Sequence, residues 1–192
     1  MATRAVREDI ASTFRAGGVG VLPTDTLYGL VGSALDKRVV ERIYKLRRRS
    51  SKKPMIVLIG SKIDVRLFGV HIDRRTSNML NDLWPGKVSV ILPCGSKKFV
   101  YLHRGTNSIA FRLPKPKWLR DVLKKTGPLV APSANWEGER PALTIAQARK
   151  YFGKSVDFYF DTGKLESKPS TLVNIVRGKV VVLREGAVKI YP

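Results

Sequence analysis

Apolar residues along this chain recur with two different periods, and the two periods alternate. Val6, Ile10 and Phe14 stand four apart and run into Gly17-Gly18, which predicts an amphipathic helix over 5–16 with a glycine stop. Val19–Leu22 is a short apolar run of strand type, closed by Pro23. Over 38–48, Val39, Val40, Ile43 and Leu46 fall on one face of a second helix and the basic residues fall on the other. Lys53-Pro54 stops helical continuation, because the residue before proline is pushed out of the α region. A buried strand is expected at Met55–Ile59, then a helix over 73–83 with Met79, Leu80 and Leu83 inward. Strands follow at Val88–Leu92 and Ile109–Leu113, a helix at 118–125 and a strand at Leu129–Ala131. Thr144 is placed to cap a helix through Phe152. Val156–Phe160, Thr171–Val176 and Lys179–Leu183 complete the pattern as strands, the last two joined by a turn at Gly178. Alternating strands and helices with a strand-rich end predict an α/β fold with a mixed sheet, one domain over 1–192.

Composition narrows the class. At 192 residues and 43% hydrophobic content the chain is long enough for a core of its own, without disulfide or metal. Its longest apolar runs are far short of the ~20 residues that span a bilayer. The first twenty residues carry five charges and no apolar stretch, so no secretory leader and a cytoplasmic location are expected. The single cysteine, Cys94, has no partner for an internal disulfide and reads as a small buried residue at a strand end. Charge is more informative: 36 Lys and Arg against 15 Asp and Glu give +21. Nine of the seventeen residues from Lys37 to Lys53 are basic and one, Glu41, is acidic. Such a stretch attracts polyanions, although a solvated face or a solubility adaptation would look the same.

Several familiar chemistries are missing. His71 and His103 have no ligand-type neighbours at zinc spacing, no glycine-rich nucleotide loop of the usual kinds is present, and carboxylates are scarce. Four segments carry more polar groups than structure requires. Pro23-Thr-Asp-Thr-Leu-Tyr-Gly29 follows a strand, where α/β sheets hold their ligands, yet Thr24 and Asp25 could equally cap a turn. Arg47–Pro54 offers guanidinium forks and Lys53 to phosphate oxygens. Pro132–Pro141 offers Ser133 and Asn135, or is an ordinary turn. Ser170-Thr171 and Arg184 lie near strand ends, and Arg112 sits inside an apolar strand, where a guanidinium is costly unless an anion pairs with it.

Taken together these pieces resemble the YrdC/YciO family, the threonylcarbamoyl-AMP synthases. The matching motifs run in family order: Pro23-Thr-Asp-Thr-x-Tyr-Gly-Leu30, the basic stretch ending Lys53-Pro54, Trp84-Pro85-Gly86, Ile109–Leu113, Ala131-Pro-Ser-Ala-Asn135, Ser170-Thr171 and Leu183-Arg184-x-Gly186. They cover nearly the whole chain, which looks like the single-domain form. The resemblance implies a twisted mixed sheet with flanking helices around a basic concave cavity. It also implies a nucleotidyltransferase that joins L-threonine, bicarbonate and ATP, with Mg²⁺, into threonylcarbamoyl-AMP and pyrophosphate. That product serves a tRNA-modifying threonylcarbamoyl transferase complex, and tRNA or double-stranded RNA is a possible direct ligand.

Carried over by position, Arg47 and Arg49 would be catalytic, and Arg49, Lys53, Ser108, Ser133, Asn135 and Arg184 would contact ATP. Thr26, Tyr28, Arg112 and Ser170 would hold threonine, with Arg112 on its carboxylate. No protein metal ligand is implied. Three positions depart from the family: Arg47 stands where lysine is expected, Leu58 where some members have histidine, and Glu185 where proline often follows the arginine. The competing expectation is a YciO-like paralogue that binds RNA or nucleotide without making the adenylate.

Overall fold

The computed structural model describes residues 3–190. The elements are α1 (Arg4–Arg15), β1 (Val19–Pro23), β2 (Tyr28–Ser33), α2 (Lys37–Leu46), β3 (Val57–Leu58), α3 (Arg74–Leu83), β4 (Val88–Pro93) and α4 (Val100–His103). They continue with β5 (Ser108–Arg112), α5 (Lys117–Thr126), β6 (Leu129–Val130), α6 (Ile145–Phe152), β7 (Phe158–Tyr159), β8 (Thr171–Val176) and β9 (Lys179–Arg184). Side-chain oxygens start four of the helices: Thr3, Asp36, Asp73 and Thr144 each accept a first-turn N–H of α1, α2, α3 and α6.

The strands form one sheet in the order β7-β1-β2-β6-β3-β5-β4-β8-β9. The pairs β1–β7, β3–β5 and β4–β8 are parallel and the rest antiparallel, so the sheet is mixed as expected. Helices α1 and α5 cover one face of its first half, where Ile10, Phe14, Leu119, Val122 and Leu123 meet Leu22, Val31, Leu58 and Leu129. The other face packs against α2 through Val39, Val40, Ile43 and Tyr44, in a larger core that runs on beneath β4, β5 and β8. The apolar face expected of α2 is therefore the buried one.

The sequence pattern failed at a few elements. Tyr28–Ser33 is not the continuation of a loop but a strand, paired with β1 from Pro23↔Tyr28 to Val19↔Gly32. Its glycines at 29 and 32 lower β-propensity but are demanded by packing: a Cβ at Gly32 would stand 2.5 Å from Val39 Cγ1 of α2. The loop shrinks to Thr24–Leu27. The strands expected at Met55–Ile59 and Val156–Phe160 are shorter, Val57–Leu58 and Phe158–Tyr159, although Ile56, Ile59, Asp157 and Phe160 still bond to the neighbouring strands through their backbones. The 3-10 turn at Lys62–Phe68 and the short helix at Val100–His103 have too few periodic positions to be read in advance. Cys94 is buried, and its thiol reaches the Phe68 carbonyl at 3.3 Å.

A candidate active site of two joined pockets

The first pocket is built where the β1–β2 loop meets the end of β5 and the segment before β8. Thr26, Tyr28, Arg112, Ser133, Ser170 and Arg184 are among its walls. The loop is fixed by Thr24, whose hydroxyl donates to the Leu27 carbonyl at 2.8 Å and accepts from the N–H groups of Thr26 and Leu27, each at 3.3 Å. Thr24 is thus a turn brace, as the capping reading expected. That brace presents the Thr26 hydroxyl to Arg112, which donates to it at 3.3 Å.

Arg112 ends β5 with its side chain only 4% exposed, and its counter-ion is Asp25, 3.3 Å away and 2% exposed. Burial pushes the Arg112 guanidinium below its ordinary pKa, and Asp25 opposes that shift. Two atoms of this buried pair, Arg112 Nε and Asp25 Oδ1, have no hydrogen-bond partner. Arg112 also lines the pocket, where a guanidinium is the group that pairs with a carboxylate ligand. Opposite it, the hydroxyls of Ser170 and Ser89 lie 2.9 Å apart, both buried. Tyr28 contributes its ring to the wall, but its hydroxyl is engaged elsewhere, donating to the Gly163 carbonyl at 2.7 Å and accepting from Thr162 N–H at 3.1 Å.

The second pocket has cationic, apolar and hydroxyl lining: Arg47, Arg49 and Arg184, then Ile91, Ala110 and Leu172, then Thr106, Ser108 and Ser133. Ser133, Ile56 and Arg184 line both pockets, so the two adjoin across a shared wall. Arg184 is held there by a bond to the Ser170 carbonyl at 2.9 Å. Close approach at Gly186 fixes the strand end, since a Cβ there would stand 2.2 Å from the Pro169 carbonyl oxygen.

Arg47, just past α2, is 4% exposed and reaches the 133–135 loop with three bonds: to the Asn135 carbonyl at 3.1 Å, Asn135 Oδ1 at 3.2 Å and Ser133 Oγ at 3.3 Å. Burial, reinforced by the neighbouring charge of Arg49, lowers its pKa to about 10. Arg49 donates to the carbonyls of Lys53 at 3.1 Å and Pro54 at 3.0 Å, which shapes the basic loop.

Two expected nucleotide residues lie outside the walls. Asn135 is buried, its amide nitrogen donating to the carbonyls of Trp136 and Glu139 at 2.6 and 2.9 Å, so it braces Arg47 and the loop. Lys53 sits at the rim on Glu137, 2.7 Å away. Leu58, at a position where histidine was a family alternative, is fully buried in the smaller core. Sequence reading missed Asp25 as the partner of Arg112, Glu137 as the partner of Lys53, and Ser89 behind Ser170. The only signal for the first was that Arg112, inside an apolar strand, required some anion.

A family model described as "Telomere recombination", for the Sua5, YciO and YrdC proteins, matches residues 12–186. The chain belongs to the Sua5/YciO/YrdC family. Within that family it is 33% identical over 171 residues to the threonylcarbamoyl-AMP synthase of Marinobacter nauticus, covering 87% of this chain and 90% of that one. The crystal structure of Pyrococcus abyssi Sua5 complexed with L-threonine superposes with a TM-score of 0.88 at 25% identity, over 97% of this chain. The chain spans 55% of that Sua5 protein. Escherichia coli YciO shares the fold, with a TM-score of 0.85 at 23% identity over 98% of this chain and 93% of its own.

Proposed function

We propose that this chain is a threonylcarbamoyl-AMP synthase, a nucleotidyltransferase acting on L-threonine, bicarbonate and ATP. The observation that carries the reading is the wall that the two pockets share. One ends in a buried guanidinium with an unfilled N–H, the other is walled by three arginines, and Ser133 and Arg184 belong to both. The relatives named for this activity, and the one crystallised with L-threonine, support the choice of ligands.

In this reading Arg112 takes the threonine carboxylate, with Thr26 and Ser170 near its polar atoms, so the amine points toward the shared wall. The amine bonds to the carbon of bicarbonate and water leaves, which makes a carbamate. A carbamate oxygen then attacks the α-phosphorus of ATP as the bond to the bridging oxygen breaks, and pyrophosphate departs. The carbamate and ATP are both anionic, so the barrier is set by bringing charges together and stabilising the leaving group. Arg49, Arg184 and the hydroxyls of Ser108 and Ser133 suit that task, and Arg47 holds the Ser133–Asn135 loop while lending its charge. Among the described residues no three His, Cys, Asp or Glu side chains gather as a metal site. In this reading Mg²⁺ would arrive on the phosphates of ATP, where it would neutralise charge.

In this reading the product would be the donor for a tRNA-modifying transferase complex, and a cytoplasmic location would suit that role. A role confined to RNA binding is the weaker reading, because a phosphate backbone needs cations but no buried hydroxyl pocket. The test is pyrophosphate release from ATP, Mg²⁺ and bicarbonate with and without L-threonine. Threonine-dependent release is expected; ATP binding with no such release would instead indicate the non-synthase paralogue.

A further inference from the structure

The basic loop at 47–53 and the loop at 133–141 are tied together at three levels. Arg47 bonds to Ser133 and Asn135 as described, and its own carbonyl accepts the Glu137 N–H at 2.8 Å. Arg48, held at a φ of 51° that few side chains tolerate, stacks its guanidinium 3.5 Å above the Trp136 ring. Beyond these, one carboxylate closes the rim. Glu137 Oε1 lies 2.7 Å from Lys53 Nζ, and Oε2 accepts the Ser50 N–H at 2.6 Å. Each oxygen of a single anion thus takes one strong donor, one an ammonium and one a backbone N–H. Two oxygens of a phosphate group would be received in the same way.

We propose that the Glu137 carboxylate is a built-in competitor for polyphosphate, filling the anion site of Lys53 and Ser50 N–H until the tail of a nucleotide displaces it. The proposal rests on the reading of Lys53 as a nucleotide-binding residue. Arg49, which lines the adjoining pocket, also acts electrostatically on this carboxylate, so the site borders the nucleotide pocket. Lys53 is 62% exposed and Glu137 22%, so an incoming anion can reach the ammonium. The same donors hold the Glu137 carboxyl at about 2, and the competitor is therefore charged at any working pH.

Two consequences follow from exchanging one anion for another. The loops stay ordered when the pocket is empty, because Lys53 and Ser50 are never left unpaired. Nucleotide binding is weakened relative to a site with no carboxylate, and return of Glu137 helps expel pyrophosphate after the reaction. A purely structural carboxylate predicts the opposite sign, since its removal would loosen the loop and weaken binding.

The experiment uses inorganic tripolyphosphate as the probe, titrated calorimetrically into the wild type, Glu137→Gln, Glu137→Ala, Lys53→Ala and Lys53→Ala/Glu137→Gln. Glu137→Gln keeps the shape and removes the charge, and tripolyphosphate is expected to bind it about tenfold more tightly. Glu137→Ala should gain in the same direction, and the gain should vanish in the Lys53→Ala background. Equal or weaker binding by both folded Glu137 variants overturns the proposal, as does binding by none of the five proteins. Threonine-dependent pyrophosphate release on the same preparations separates the two claims. If the Glu137→Gln gain holds while no release occurs, the anion site stands and the proposed reaction falls.

Discussion

Arg112 and Asp25 cannot be removed independently, because among the described residues they form an ion pair with both side chains almost wholly buried. Arg112→Ala leaves a carboxylate stranded and should cost about 3–5 kcal/mol of stability. Urea unfolding should show that loss, with part of it recovered by adding Asp25→Asn. Arg112→Lys retains the charge but loses the planar fork, so it should raise the threonine KM at least about tenfold while moving the ATP KM much less. Equal effects on both would mean that Arg112 serves the two pockets alike. Glu137 makes a pH prediction of definite sign. Its carboxyl falls from an ordinary 4.5 to about 2 on folding, so the stability it contributes is complete above pH 4.5 and is lost as pH drops toward 2. Urea midpoints should show a constant difference between wild type and Glu137→Gln above pH 4.5, narrowing below it. Much of this site was legible at the residue scale: Thr26, Arg112, Ser133, Ser170 and Arg184 do meet at one wall. The partners of these residues were not, because Asp25 lies far from Arg112 along the chain and only the fold brings the two together.

At the scale of elements, the site depends on where strands end. The loop between β1 and β2, the last residue of β5 and the junctions flanking β8 and β9 converge because the sheet order interleaves early and late strands. Gly186 sets one of these approaches, and Gly32 sets the packing of β2 against α2. Gly32→Val would force a side chain into Val39 and Ile43 of α2, where the Cβ alone already stands 2.5 Å from Val39. Thermal unfolding should register a loss of several kcal/mol, on the order of 3, and an unchanged midpoint would contradict the packing described. Periodicity revealed the helices well, since α1, α2 and α5 each bury one face. It failed at β2, where glycines needed for close packing imitate a loop, and it overran β3 and β7, which lie where strands were expected but are two residues long.

For the whole molecule, the charge of +21 is large enough to shape encounters with anions beyond contact distance. Screening at physiological salt acts over about 8 Å, so raising ionic strength should slow ATP association by roughly tenfold across the accessible range while leaving the zwitterion threonine nearly unaffected. Stopped-flow binding would show this, and a salt-independent association rate would confine the charge to roles other than steering. The proposed reaction joins threonine to adenylate through a carbamate, in two pockets that share a wall. The most direct test is mass analysis of the product formed from L-threonine, ATP and isotopically labelled bicarbonate. The account predicts an adenylate that contains threonine and one labelled carbon. An adenylate of threonine without the label, or no adenylate from a folded protein that binds ATP, would contradict it.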